Sequence, residues 1–281
     1  IAKIDANAIF ITQVNIEYRN CMKNIALLVV LCLSISYITA QDANAVRPSA
    51  SAASIYSPPN IDGNVIDDPV WKLIPTIGEL VQSQPNYNQA PSEKTDIRIA
   101  YTPTTLYVSA VCYDANPDQL QVSDSRRDAA LASTDAVLFI VDTYKDGQNG
   151  FVFGTNSAAI EYDAQIDNEG VGNFNNNRQQ GGTIGGVNLN WDASWTVRTE
   201  VGEYGWSAEF AIPLKTIRFG SGEQTWGLNV QRNISKTNET NFWSLLPLNF
   251  DLNRVSMAGS LTSLNLKSQG NLYKFEQKKR L

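Results

Sequence analysis

The chain has 281 residues, 22 basic and 28 acidic side chains, a net charge of −6 and no histidine. Its one basic cluster is Lys278, Lys279 and Arg280 near the end, which is no footprint for a phosphate backbone, so no nucleic-acid partner is expected. The missing histidine excludes Ser-His-Asp and Cys-His catalysis and histidine-based zinc sites.

In chain order, residues 1–21 precede the first methionine, Met22, and read as upstream translation outside the fold. MKNIALLVVLCLSISYITAQ follows, with Lys23 as its basic start, an apolar run from Ile25 to Ile38, and Ala40 at its end. That is the anatomy of a secretory signal peptide over 22–40. The run is about 14 residues, short of the roughly 20 a spanning helix needs. Export to the periplasm, outer membrane or cell surface is therefore expected. Cys21 and Cys32 precede the cleavage point, so Cys112 stays alone and no internal disulfide is expected. Residues 41–58, rich in Ala, Ser and Pro, read as a linker.

From there the pattern has period two. In TDIRIAY (95–101) Ile97, Ile99 and Tyr101 share a face. In TLYVSAVCYD (105–114) Leu106, Val108, Ala110 and Cys112 share one face, and Tyr107, Val111 and Tyr113 the other. DAVLFIVD (135–142) is almost continuously apolar, as a strand buried on both faces would be. GFVFGTN, AAIEYDAQ, WTVRTEV, GWSAEFAI and TWGLNVQRNI follow, with turns at KDGQNG, GEYG and GSGEQ. In GWSAEFAI, Trp206, Ala208, Phe210 and Ile212 face in, leaving Glu209 to a polar partner such as Arg232. PLKTIRF (213–219) is the best short helix candidate, opened by Pro213. Residues 167–190, nearly free of large apolar side chains, read as a long surface loop or hairpin. Strands joined by turns predict an all-β fold, an antiparallel β-sandwich.

Ile61-Asp62-Gly63, then Asp67-Asp68-Pro69 and Trp71, then TDIRIAYTPTTLYVSAVCYD, DAVLFIVDTY, WDASWTVRTEVGEYGWSAEFAIPLKTIRF and WGLNVQRNI resemble the family 9 carbohydrate-binding modules. The resemblance implies a jelly-roll-like sandwich over 59–266, with a polar turn capping Trp71 as a core anchor. CYDANPDQL, SRRDAALASTDAV, GFVFGTNSAAIEYDA and SMAGSLTSLNL are similar to a narrower group: exported bacterial proteins carrying this module ahead of an outer-membrane β-barrel. A structural or gating role beside such a barrel is the alternative reading. The tail, 267–281, lacks the expected continuation, so either a chain cut before its barrel or a free-standing module is expected.

The resemblance also implies where sugar would bind. Family members hold a chain end between two tryptophans on two loops, with calcium elsewhere. Here the first loop is SRRDAALAST (125–134), without an aromatic, and the second is WSLLPLNFDLNR (243–254), with Phe250 near the tryptophan's place. A carboxylate that those modules carry in the intervening strand falls near Leu138. Candidate contacts to a poly- or oligosaccharide are Arg126, Arg127, Asp128, Asn249, Phe250 and Asp251, with Trp191 of WDASW as a stacking ring. Asp163 and Asp167, with Asn168 and Glu169, are candidate oxygen ligands for calcium, in no known calcium-loop spacing. No cofactor is required. Acidic residues abound, but no paired-carboxylate motif marks a glycosidase, so a non-catalytic binding domain is expected.

Overall fold

The computed structural model describes Lys23 and residues 46–171, 183–184 and 186–267. The expected upstream segment, the leader apart from Lys23, residues 175–178 and the tail from 268 lie outside the described residues. The elements run β1 (Ser49–Ser51), β2 (Ala53–Ser54), α1 (Pro69–Lys72), β3 (Val81–Gln84), β4 (Thr95–Tyr101), β5 (Thr105–Tyr113), β6 (Ala136–Asp142) and β7 (Gly150–Asn156). Then come β8 (Tyr162–Ile166), β9 (Thr183–Ile184), β10 (Val187–Asn188), β11 (Thr196–Gly202), β12 (Gly205–Pro213), β13 (Gly222–Ile234), β14 (Glu239–Phe242) and β15 (Gly259–Leu266).

Two sheets form the expected β-sandwich. The larger has the order β1-β15-β13-β6-β7-β8-β10-β9, with β14 and β3 extending from β13, and the smaller is β11-β12-β5-β4-β2. Alternation decides what lies between them. Ile97, Ile99, Leu106, Val108, Ala110, Phe210 and Ile212 of the smaller sheet meet Val137, Phe139, Val141, Leu228 and Val230 of the larger. Trp195 stacks on Phe210 at 5.7 Å. Burial pushes the Cys112 thiol up to about 11, so this cysteine is packing and not a nucleophile.

Three expectations need correction. Part of the supposed linker belongs to the fold. β1 pairs parallel with β15 of the larger sheet, and β2 parallel with β4 of the smaller, so 49–54 straps the two together. PLKTIRF is not a helix. β12 runs through Pro213, and a turn follows in which Thr216 N donates to Pro213 O at 2.8 Å. Glu209 and Arg232 do not pair. Arg232 lies between the sheets over the Trp206 ring, 3.8 Å from Asp135, while Glu209 faces the other side of β12. Neighbouring positions on a strand face opposite ways, and the two side chains stand on different sheets.

Glu209 instead fastens the outer cover of the smaller sheet. Its carboxylate accepts Trp71 Nε1 at 2.6 Å, Gly63 N at 2.8 Å and Asp62 N at 3.0 Å. Asp68 caps α1 by accepting Val70 N at 2.6 Å, with Pro69 in the first turn. That places Trp71, 1% exposed, against Val65, Ile74, Ala100, Tyr107 and Val111. Gly63 has φ +100°, and a Cβ there would lie 2.4 Å from the Thr199 carbonyl carbon, so only glycine fits the turn.

Removing this carboxylate leaves buried donors unmatched. Glu209→Ala is expected to lower unfolding free energy by about 3 kcal/mol, measured by urea titration. Burial raises the Glu209 carboxyl, against the pull of the Gly63, Trp71 and Asp62 donors. The native state therefore holds this proton to higher pH than the unfolded chain does. The group's contribution to stability falls as pH rises from about 4.5, the unfolded value, through the raised one, and is level above it. Unfolding titrations of wild type and Glu209→Gln across that window should show the fall in the first and not the second.

Candidate functional site

β6 is buried at all seven positions, so its second face also needs a cover. Ala136, Leu138 and Ile140, with Val152, Ala164 and Ile166 of β7 and β8, make an apolar outer face. Leu131 from one loop and Leu246, Leu252 and Val255 from another close over it. These are the two loops singled out in the sequence. Asn229 anchors the second, accepting Ser244 N at 2.8 Å and donating to Ser244 O at 2.9 Å. Asn233 anchors the first, donating to Leu131 O at 2.9 Å, and itself accepts Gln231 Nε2 at 2.8 Å.

The cover is incomplete. A trough of about 270 Å³ stays open, lined by Leu131, Leu138 and Val152 below and by Tyr162, Gln231, Asn233, Asp251 and Asn253 around. A second hollow, about 480 Å³, adjoins it through Asp251 and is lined also by Gln84, Glu169, Leu248, Asn249, Phe250 and Arg254. Arg254 lies over the Phe250 ring, 4.6 Å from its centre, and forms an ion pair with Glu169. Asp251 Oδ1 accepts Asn253 N at 2.9 Å, which fixes the turn. Burial pushes the Tyr162 hydroxyl up, and the negative charges of Asp128, Asp251 and Asp163 add to that shift. Aromatic and apolar surface below, with amides and carboxylate around it, can hold a polyhydroxylated ring; the set contains no nucleophile–base pair.

The candidates divide accordingly. Asn249, Phe250 and Asp251 come together in one hollow. Arg126 is exposed and paired with Asp124 at 2.6 Å. Arg127 is a hub that reaches Asp163 at 2.8 Å, Asp192 at 2.7 Å, Asp128 at 3.5 Å and Glu161. Asp128, at φ +58°, turns the loop; none of these three lines either opening. Trp191 is half-buried against Phe151 and Phe153, with centroids at 4.9 and 5.9 Å, away from both hollows. The sequence reading passed over Tyr162, Gln231, Asn233, Asn253 and Arg254. A signal existed for two: Asn229, Gln231 and Asn233 make a polar row on one face of the strand TWGLNVQRNI.

Among the calcium candidates, Asp163 is buried and its oxygens serve protein donors. Oδ1 accepts Arg127 and Trp195 Nε1 at 3.1 Å, and Oδ2 accepts Ala193 N at 2.9 Å. Burial raises its carboxyl against those donors. Asp167 and Asn168 are exposed, and Glu169 is taken by Arg254 and Ser256 N. Among the described residues no three His, Cys, Asp or Glu side chains are grouped to hold a metal.

A family model described as "Carbohydrate family 9 binding domain-like" matches residues 61–243, and the chain belongs to that family. As a member of a family of binding domains, it is not an enzyme. Two solved structures of a family 9 module from Caldicellulosiruptor kristjanssonii, one with glucose and one with cellotriose, are similar to it. Each has 16% identity and a TM-score of 0.50 over 79% of this chain, covering 96% and 94% of theirs. A candidate carbohydrate-binding protein from Bacteroides uniformis is similar too, with 17% identity and a TM-score of 0.54 over 77% of this chain and 99% of that one. At these identities the likeness is one of fold. No curated protein matches the chain.

The donors around Asp163 make a stability forecast. Asp163→Ala should cost about 3 kcal/mol in a urea titration, because buried donors lose their acceptor. Calcium added to the wild type should leave the melting temperature unchanged, since among the described residues no carboxylate cluster is grouped to bind it.

Proposed function

We propose that this chain is an exported, non-catalytic domain that binds glycan in the trough over the larger sheet. One observation carries the reading: the two loops that resemble the sugar-holding loops of family 9 meet over β6 and line the trough between them, and Asp251 of the second loop also lines the Phe250 hollow. Tyr162 and Phe250 supply ring surface for sugar C–H faces; Gln231, Asn233, Asn249, Asn253 and Asp251 supply partners for hydroxyls. The family match and the similarity to modules solved with glucose and cellotriose support carbohydrate as the class. Export rests on the leader at 22–40 and fits a chain whose remaining cysteine is unpaired and buried. No helix among the described residues is long and apolar enough to cross a membrane.

The test is a glycan array with residues 41–281, followed by calorimetric titration of any hit. Phe250→Ala and Tyr162→Ala should each weaken binding at least about tenfold, or 1.4 kcal/mol, while circular dichroism shows an intact fold. Binding unaffected by both substitutions would move the site off this face. An array without a hit from folded protein would overturn the reading.

A further inference from the structure

A third hollow lies beyond the two already described. It measures about 700 Å³ and is bounded by β3, the 85–92 loop and the start of β14. Gln82 and Glu239 form its buried floor, and Pro85, Asn86, Tyr87 and Gln89 its exposed rim. Tyr87 is 41% exposed, so a ring is offered to solvent beside two amides. The loop is pinned to the floor. Asn86 N donates to Gln82 Oε1 at 2.9 Å, Asn88 N to Gln82 O at 2.8 Å, and Ser92 N to Glu239 Oε1 at 2.9 Å. The hollow therefore needs no ordering of its loop before something binds, which removes a main cost of association.

Its position matters as much as its lining. Gln84 lines the Phe250 hollow and Pro85, the next residue, lines this one, so the end of β3 borders both. Asp251 lines both the Phe250 hollow and the trough, so each opening is linked to the next through shared or neighbouring residues. The charges along them are Asp251, Glu169 and Glu239, with Arg254 already paired to Glu169. Burial opposes ionisation of Glu239, but the Ser92, Asn241 and Gln82 donors outweigh it and lower its carboxyl, so it stays charged at neutral pH. Such a path repels acidic chains and suits neutral hydroxyls.

We infer that the trough, the Phe250 hollow and the Tyr87 hollow form one extended track for a neutral glycan chain of several sugar units, with Tyr87 as its distal ring. The inference rests on the proposed glycan binding of the trough and sets its reach: affinity grows with chain length beyond what the first two openings hold.

The test is calorimetric titration of residues 41–281 with glucose, cellotriose and cellohexaose, repeated on Tyr87→Ala and Gln89→Ala. Cellohexaose should bind about tenfold or more tightly than cellotriose, and Tyr87→Ala should remove most of that gain, with Gln89→Ala removing part of it. Equal affinities for the two chains overturn the track and leave the trough as the sugar site. A length gain that both substitutions leave intact also overturns it, since the extra units then lie elsewhere. Failure of all three sugars to bind overturns the track together with the glycan-binding reading for β-linked glucose.

Discussion

The constraint on which the rest depends is the two-sided burial of β6. A strand with apolar side chains on both faces cannot stand at the surface, so the sheet that contains it needs a second cover. The smaller sheet covers one face. Among the described residues no regular element covers the other, and two irregular loops do the work with Leu131 from one and Leu246, Leu252 and Val255 from the other. Irregular cover leaves gaps that a packed sheet would not, and the trough is such a gap. The apolar floor of the site and the core of the fold are thus the same residues, Leu138 and Val152 among them.

Buried carboxylates explain why so many acidic residues play no part in the site. Glu209 holds the polar turn before Trp71, and Asp163 holds Trp195 and Arg127. Each accepts a buried backbone N–H and an indole N–H at once, and an unmatched buried donor costs more than the bond itself returns. The Arg127 cluster is therefore a joint between β8 and the segment leading into β11. What is left for a ligand is the Phe250 loop, Tyr162 and Gln231, while Asn229 and Asn233 of the polar row on β13 hold the two loops in place.

Membership in the family extends over 61–243, and the loop with Phe250 begins just past that limit. The frame and the Phe250 loop are separate physical problems. The frame is set by alternation and by Trp71, the loop only by its two anchors at Asn229 and at Leu246, Leu252 and Val255. A domain of this class can change what it grips without disturbing what it is.

Much of the sandwich was legible along the chain. Period-two alternation assigned the inner faces of β4, β5 and β12, because strand geometry fixes side-chain direction locally; the continuous apolar run marked β6 as buried on both faces, and the family resemblance marked Trp71 as a core anchor. β1 and β2 were not legible: five residues of Ala and Ser carry no alternation, and their order comes from edges contributed by β15 and β4. The turn after β12 was mistaken for a helix because Pro213 suits a helix start as well as a strand end. For the site, the sequence placed Asn249, Phe250 and Asp251 on one loop. Only the tertiary structure brought Tyr162, Gln231 and Asn233 up to them, and withdrew Arg127 and Asp163 into the scaffold. Partners far apart in the chain decide whether a polar side chain is spent on the fold or left for a ligand, and no local pattern records them.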